Sequence, residues 1–236
     1  MVVARWAFRV LLAMVLAASL RAAAAGDNGE VVPFVTGTVW TYQALLKWTD
    51  PPNTLRRSEV RWTSTVIDAF DHGDVAGALL RGGVWDLAWW SRDPRPGSYE
   101  VVRVGTRYYL LRDVSKSAFA AVKAAGRKAL PADLDQHVWF DVPLTKGRVL
   151  RPRDMGRRDD TSYGWWIESV GPARLDLPGL RDPARQAFRL TYDTLASEHH
   201  ETVVPGIGIT AFTYVHHGSL AEAYAHLIAY RRGPAR

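Results

Sequence analysis

Most of the chain alternates apolar and polar residues with a period of two, which is typical of strands that bury one face. Residues 39–46 and 57–68 follow this pattern on either side of the turn-forming segment 50–53, so the simplest connection between them is a β-hairpin. The same reasoning predicts further strands at 75–80, 99–104, 107–111, 164–168, 185–193 and 201–214. The sequence therefore predicts a mainly β protein, with a curved antiparallel sheet or half-barrel of roughly eight to eleven strands.

Residues 113–128 differ from the rest because their apolar positions recur with the period of a helix. Asp113 is a suitable N-cap, and Pro131 follows the segment as a stop. The sequence therefore predicts one helix packed on the sheet. The apolar positions of this helix are Val114, Ala118, Phe119, Val122 and Ala125.

The segment 201–214 is the one around which the other strands are expected to assemble. Pro205 cannot donate a ladder hydrogen bond, so it belongs at a strand start or an edge. Gly206 and Gly208 predict a sharp bend or a β-bulge beside it.

The end of the chain permits two interpretations. Gly218 predicts a turn into residues 220–230, where alternation favours a strand that would cover the edge of the preceding one. Ser219 and Glu222 form a capping box, which favours a helix instead. We expect the strand.

Residues 1–25 have the pattern of a cleaved secretory signal: Arg5 and Arg9, then the apolar run 10–20, then small residues. The run is shorter than the ~20 residues of a membrane span, so an uncleaved anchor is the less favoured alternative. We expect residues 26–236 to form a single β-rich domain, exported to the periplasm or secreted.

The chain contains no cysteine, which excludes disulfides, thiol catalysis and a lipid anchor on a cysteine. Residues 1–25 hold three of the 30 Lys and Arg and none of the 24 acids, so processing lowers the formal net charge from +6 to +3. This small excess does not favour nucleic acid as a partner.

Residues 143–150 match 33–40 in form, and each stretch is followed by a polar loop and a strand that carries Trp. This match predicts two structurally similar halves, 26–130 and 131–236.

The segments 33–42, 143–150, 163–165 and 204–208 together resemble a group of exported bacterial proteins of unknown function. TapB-like proteins carry a similar Gly-x-x-Trp-x-Tyr motif, which here spans 37–42. The resemblance implies a half-barrel like that of LolA-type lipoprotein carriers, whose concave face holds a helix and an apolar ligand. Many members carry a lipobox cysteine, which this chain lacks, and the group supplies no catalytic residues to carry over.

Aromatic residues are the strongest functional signal, since nine Trp follow residue 25 and each can bury about 150–250 Å². Their simplest role is a large core, and their functional role would be an apolar groove that binds a ligand. Adjacent Trp residues in a strand point to opposite faces, so one member of each pair must face outward. The residues that we expect to contact a ligand are Trp40, Trp62, Trp89, Trp90, Trp165, Trp166 and Tyr214.

Histidines offer a competing interpretation, a hydrolase or a metal-dependent enzyme, through His199, His200, His216 and His217. Adjacent histidines on a strand point apart, so each pair offers one ligand on a given side. No metalloprotease, dinucleotide or phosphate-binding motif occurs, and exposed turn residues are the simpler interpretation. We therefore predict no metal and no cofactor.

The leading prediction is an exported, non-enzymatic protein that binds an apolar or lipid-like ligand or a cell-envelope protein. The alternatives are the histidine enzyme and a structural envelope protein without a small ligand. The sequence does not identify the ligand or the oligomeric state.

Overall fold

The computed structural model describes residues 30–88, 95–152, 155–156, 158–175, 177, 180, 185–218 and 221–234. The predicted signal segment 1–25 therefore lies outside the described residues. The described part contains one α-helix and twelve strands: β1 Val39–Asp50, β2 Thr54–Asp71, β3 Val75–Arg81, β4 Ser98–Val104, β5 Arg107–Arg112, α1 Lys116–Ala125, β6 Val138–Asp141, β7 Val149–Leu150, β8 Trp165–Pro172, β9 Gln186–Asp193, β10 Ser197–Val204, β11 Gly208–His216 and β12 Ala221–Arg231. Short 3₁₀ turns occupy Val84–Leu87, Gly126–Ala129 and Leu134–His137.

All twelve strands form one antiparallel sheet in the order β6-β5-β4-β3-β2-β1-β12-β11-β10-β9-β8-β7. The order consists of two six-stranded meanders joined where β1 pairs with β12, with Trp40 opposite Tyr230. The predicted fold class is confirmed, although the number of strands exceeds the expected range. The meanders divide within 142–148, and the similarity of the two halves stays a prediction.

The sheet curves until its two edges almost meet, so it forms a nearly closed barrel. Trp139 of β6 lines the same small cavity as Leu150 of β7 and Ile167 of β8. An ion pair between Arg148 and the buried Asp141 spans this seam. The seam leaves β6 and β7 without a ladder between them, and side chains close the gap instead.

Alternation along each strand divides the side chains between the barrel interior and its outer face. On β1, Trp40, Tyr42 and Leu46 point inward and are buried, whereas the residues between them are partly exposed. The strand register continues this inward row around the barrel. Ala44 pairs with Ala225, Ala225 pairs with Phe212, and Phe212 pairs with Glu201.

The helix α1 packs on the outer face of the barrel. Phe119 and Val122 belong to a second apolar cluster, and Lys123 donates to Asp68 of β2 at 2.7 Å from the same side. The resemblance to LolA-type carriers implied a helix on the concave face, and this was wrong because inward side chains already fill the interior. The strand residues of this outer cluster are Phe70, Val75, Leu79, Val102, Tyr109, Leu111 and Val138.

The ends of the helix differ from the prediction by a few residues. Ser115 is the N-cap, and its hydroxyl accepts the Ala118 N–H at 3.1 Å. Asp113 has a φ of +56° and lies before the helix. Gly126, with a φ of +57°, ends the α-helix ahead of Pro131 because glycine readily adopts a positive φ.

The segment 201–214 forms the end of β10, a tight turn and most of β11, so the expected single bent strand was wrong. Gly206 and Gly208 have φ values of +76° and +95°, which reverse the chain after Pro205. The final segment is the strand β12, so the strand prediction is confirmed over the described residues.

Candidate functional site

A cavity of about 580 Å³ lies on the outer face of the barrel, beneath the connector that follows β8; we call it the outer groove. Its floor belongs to strands β9 to β12, and its roof to the connector. The residues that line it are Pro172, Arg174, Leu175, Leu177, Ala187, Thr202, Val204, Thr210, Ala211, His226, Leu227 and Ile228.

The register of the sheet places the floor of the outer groove outside the barrel. Thr202 pairs with Ala211, and Ala211 pairs with His226. This row alternates with the inward row that contains Glu201 and Phe212, so its side chains point away from the interior. This part of the floor therefore lies on the outer face, whereas the lining residues Leu177, Val204 and Leu227 belong to the buried interior cluster.

The lining of the outer groove is apolar with a basic rim. Leu177 and Val204 are buried, while Arg174 and His226 are exposed. The Thr210 hydroxyl donates to the backbone oxygen of Thr202 at 3.1 Å, which satisfies that hydroxyl locally. No Asp or Glu occurs among the described lining residues. An apolar body with a negative end is the ligand chemistry that this lining matches.

The barrel interior, by contrast, is almost completely filled. Trp40 is 3% exposed, and its indole N–H donates to the Ile207 carbonyl at 2.6 Å. Trp62 donates to the carbonyls of Gly82 and Gly83, both at 3.0 Å. The remaining cavity beside Trp40 measures about 20 Å³, which is room for about one water molecule.

A buried carboxyl lies in the middle of this interior. Glu201 is fully buried, with Oε1 accepting the Trp85 indole N–H at 2.6 Å and Oε2 accepting that of Trp139 at 2.8 Å. Burial raises the pKa of Glu201 to about 7, although the two indole hydrogen bonds act in the opposite direction. Burial also raises the pKa of Tyr42, and the nearby Glu201 carboxyl adds to that effect.

The other aromatic residues that the sequence singled out lie in different environments. Tyr214 is buried in the interior, and Trp165 packs at its edge against Tyr192, with ring centroids 5.3 Å apart. Trp166 pairs with Thr191 in the outward row, so this Trp pair points to opposite faces as predicted. The other adjacent pair, Trp89 and Trp90, lies outside the described residues, and the proposed ligand role of the whole set stays a prediction.

The glycines of the predicted motif lie at turns. The Gly206 N–H donates to the Glu30 carbonyl at 2.8 Å, which ties the β10–β11 turn to the start of the described chain. A side chain at Gly208 would approach the indole nitrogen of Trp40 to 3.6 Å. Gly218 lies in the turn after β11, and its N–H donates to the His216 ring at 3.2 Å.

The histidines do not all lie together, although His200 and His217 share one neighbour, since the His200 ring lies 3.5 Å from the Glu198 carboxylate. His199 points inward against Tyr214, with ring centroids 4.7 Å apart, and burial lowers its pKa to about 4. His200 points outward, where it contacts Thr191 at 3.0 Å. His217 lies 3.4 Å from Glu198 on the surface. Within the described part of the chain, no three His, Asp or Glu side chains are grouped as metal ligands.

Two features of the site escaped the sequence analysis. The outer groove combines residues from five separate segments, which no local pattern links. Glu201 meets Trp139, which lies 62 positions earlier in the chain, and Trp85, which lies 116 positions earlier. One signal was available, because the alternation of β10 places Glu201 on the same face as the apolar Val203, where a buried acid needs donors.

Comparison with known proteins gave little direct similarity. No family model and no curated protein matches the chain. One similar solved structure is a "putative lipoprotein" from Parabacteroides distasonis, at 9% identity and a TM-score of 0.41, covering 86% of this chain and 99% of that chain. Another is a "putative exported protein with YmcC-like fold" from Bacteroides fragilis, at 10% identity and a TM-score of 0.42, covering 86% and 100%.

Both TM-scores lie below 0.5, so the similarity transfers no function to this chain. Neither structure tests the similarity to TapB-like proteins. Across the described residues, no helix has the length and apolarity that crossing a membrane requires.

Proposed function

We propose that this protein is an exported, non-enzymatic protein that binds an apolar or amphipathic ligand in the outer groove. The observation that carries the proposal is the groove itself. Its volume of about 580 Å³ lies within the range of roughly 300–1,000 Å³ for small-molecule sites. Leu175, Ala211 and Ile228 give it partly exposed apolar walls, and its few polar groups lie at defined positions.

The packing of the interior supports an outer site over an inner one. Trp40 and Trp62 are buried, and their N–H groups already donate to backbone carbonyls. The space of about 20 Å³ between Trp40, Trp85 and Trp139 cannot hold an acyl chain. The indoles therefore stabilise the barrel, and the groove is where apolar surface remains accessible.

Two further observations support the rest of the proposal. The signal-like pattern of residues 1–25 supports export. His199 and His200 point to opposite faces of β10, which does not support a catalytic or metal site that uses both. A structural envelope protein is the competing function, and the filled interior would suit it equally well.

Native mass spectrometry of the full chain, expressed with its leader in a bacterial host, tests the proposal. The intact mass reports whether residues 1–25 have been removed, and lipid extraction of the same sample identifies any bound molecule. The test variant is Ala211→Trp, which places an indole in the floor of the groove. The matched control is Ala120→Trp, on the exposed side of α1.

We expect a near-stoichiometric apolar adduct on the wild-type protein and on the control, and its loss from Ala211→Trp. Equal adducts on all three proteins would place the ligand elsewhere and refute the groove as its site. A clean apo mass that long-chain lipids do not shift would refute ligand binding and favour the structural role.

A further inference from the structure

The charge of the lining residues indicates which chemical class of ligand the outer groove would bind. Arg174 and His226 are its ionisable lining residues, and neither forms an ion pair within the described part of the chain. Arg189, which pairs with Thr202 of the floor, is neutralised by Glu168 at 2.6 Å. Among the described lining residues, the groove thus places the positive charge of Arg174 beside apolar side chains.

We infer that the outer groove binds a single-chain anionic amphiphile, a long-chain fatty acid, with its carboxylate at Arg174. This inference rests on the proposed function. A guanidinium donates two parallel hydrogen bonds to a carboxylate, which fixes the position of the headgroup. The acyl chain then lies along the partly exposed Leu175, Ala211 and Ile228.

The volume of the groove sets the size of the ligand. By the measure in which one water needs about 10–15 Å³, a space of about 580 Å³ is large enough for an acyl chain with its headgroup. The single-chain assignment takes the smaller of the lipids that such a space can hold, and a two-chain phospholipid is one of the probes that test it.

Titration of the full chain, freed of co-purified lipid, with palmitate and with hexadecanol tests the inference. The two probes have the same number of carbons and differ in headgroup charge. The test variant is Arg174→Gln, and the matched control is Arg81→Gln, an exposed arginine of β3 away from the groove. Both substitutions lie at the surface, so neither endangers folding.

We expect palmitate to bind at least roughly tenfold more tightly than hexadecanol, since hydrogen bonds to a charged partner are the stronger class. Arg174→Gln should remove this preference by weakening palmitate alone, and Arg81→Gln should preserve it. Equal affinity for the two probes, or unchanged palmitate binding in Arg174→Gln, would overturn the headgroup assignment while the proposed function stands.

Other outcomes separate the remaining parts of the inference. Tighter binding of dipalmitoylphosphatidylglycerol than of palmitate would overturn the single-chain assignment. No binding of any of the three probes would overturn this inference together with the proposed function.

Discussion

Replacing Glu201 with Gln removes a buried carboxyl that ties three separate parts of the barrel together. Trp85 belongs to the 3₁₀ turn after β3, and Trp139 belongs to the edge strand β6. Gln has the same shape but offers one acceptor oxygen, so its NH₂ group must face one of the two indole N–H groups. We expect this lost hydrogen bond to cost about 1–3 kcal/mol of unfolding free energy relative to an ionised carboxyl that accepts both hydrogen bonds.

The substitution also changes how stability depends on pH. Burial raises the pKa of Glu201 from 4.5 to about 7, so the folded chain holds a proton over a range where the unfolded chain has lost it. Glu201 therefore contributes stability that is fully present below pH 4.5 and is lost as the pH rises to about 7. The full loss is about 3 kcal/mol.

Two other buried groups also change how the unfolding free energy of the wild-type protein depends on pH. Burial raises the pKa of Glu100 to about 7, so this group also loses its contribution to stability as the pH rises. Burial lowers the pKa of His199 to about 4, so its contribution instead grows as the pH rises from about 4 to 6.5. The difference between wild type and Glu201→Gln cancels both contributions and isolates Glu201.

Urea unfolding followed by Trp fluorescence, at intervals from pH 4.5 to 8, measures this difference. We expect wild type to exceed Glu201→Gln in stability by about 3 kcal/mol more at pH 4.5 than at pH 8. The control is Glu59→Gln, an exposed position whose curve should follow that of wild type. Parallel curves for wild type and Glu201→Gln across this range would refute an interior carboxyl with a raised pKa.

Two further substitutions test the packing of the fold by the same unfolding measurement. Ser115→Ala removes the acceptor of the Ala118 N–H and should cost about 1 kcal/mol, whereas the neighbouring exposed Ser117→Ala should cost less; equal costs would contradict Ser115 as the cap. Leu46→Ala leaves a cavity at a fully buried position and should cost about 2–5 kcal/mol. Leu55→Ala, at a 62% exposed position, should change stability by no more than about 0.5 kcal/mol, and a similar loss at both sites would show that position 46 is not in the core.

Local pattern was enough to predict most of the strands and the single helix. The alternation from Val39 onward predicts β1, because inward and outward positions of a strand need different side chains. The helical spacing of Phe119 and Val122 predicts α1, and the structure buries both against the sheet. The helix start was predicted two residues early, because Asp113 and Ser115 are both good caps and only the backbone conformation selects between them.

The count and the arrangement of the strands depended on long-range pairing. Pro205, Gly206 and Gly208 indicated a bend, and whether that bend closes a hairpin depends on the partners of the flanking strands. β7 has only two residues and exists because β8 lies beside it. Such short strands have no periodicity of their own to detect.

The sequence by itself determined that this is a β-rich chain with one helix, many buried aromatics and a signal-like start. Only the tertiary structure decided what those residues do. Trp40 meets the Ile207 carbonyl across 167 positions, and Glu201 meets Trp85 across 116. The physical reason is that alternation fixes which side chains share a face, whereas closure of the barrel fixes which face becomes the interior. That closure directed the indoles into the core and left the groove outside.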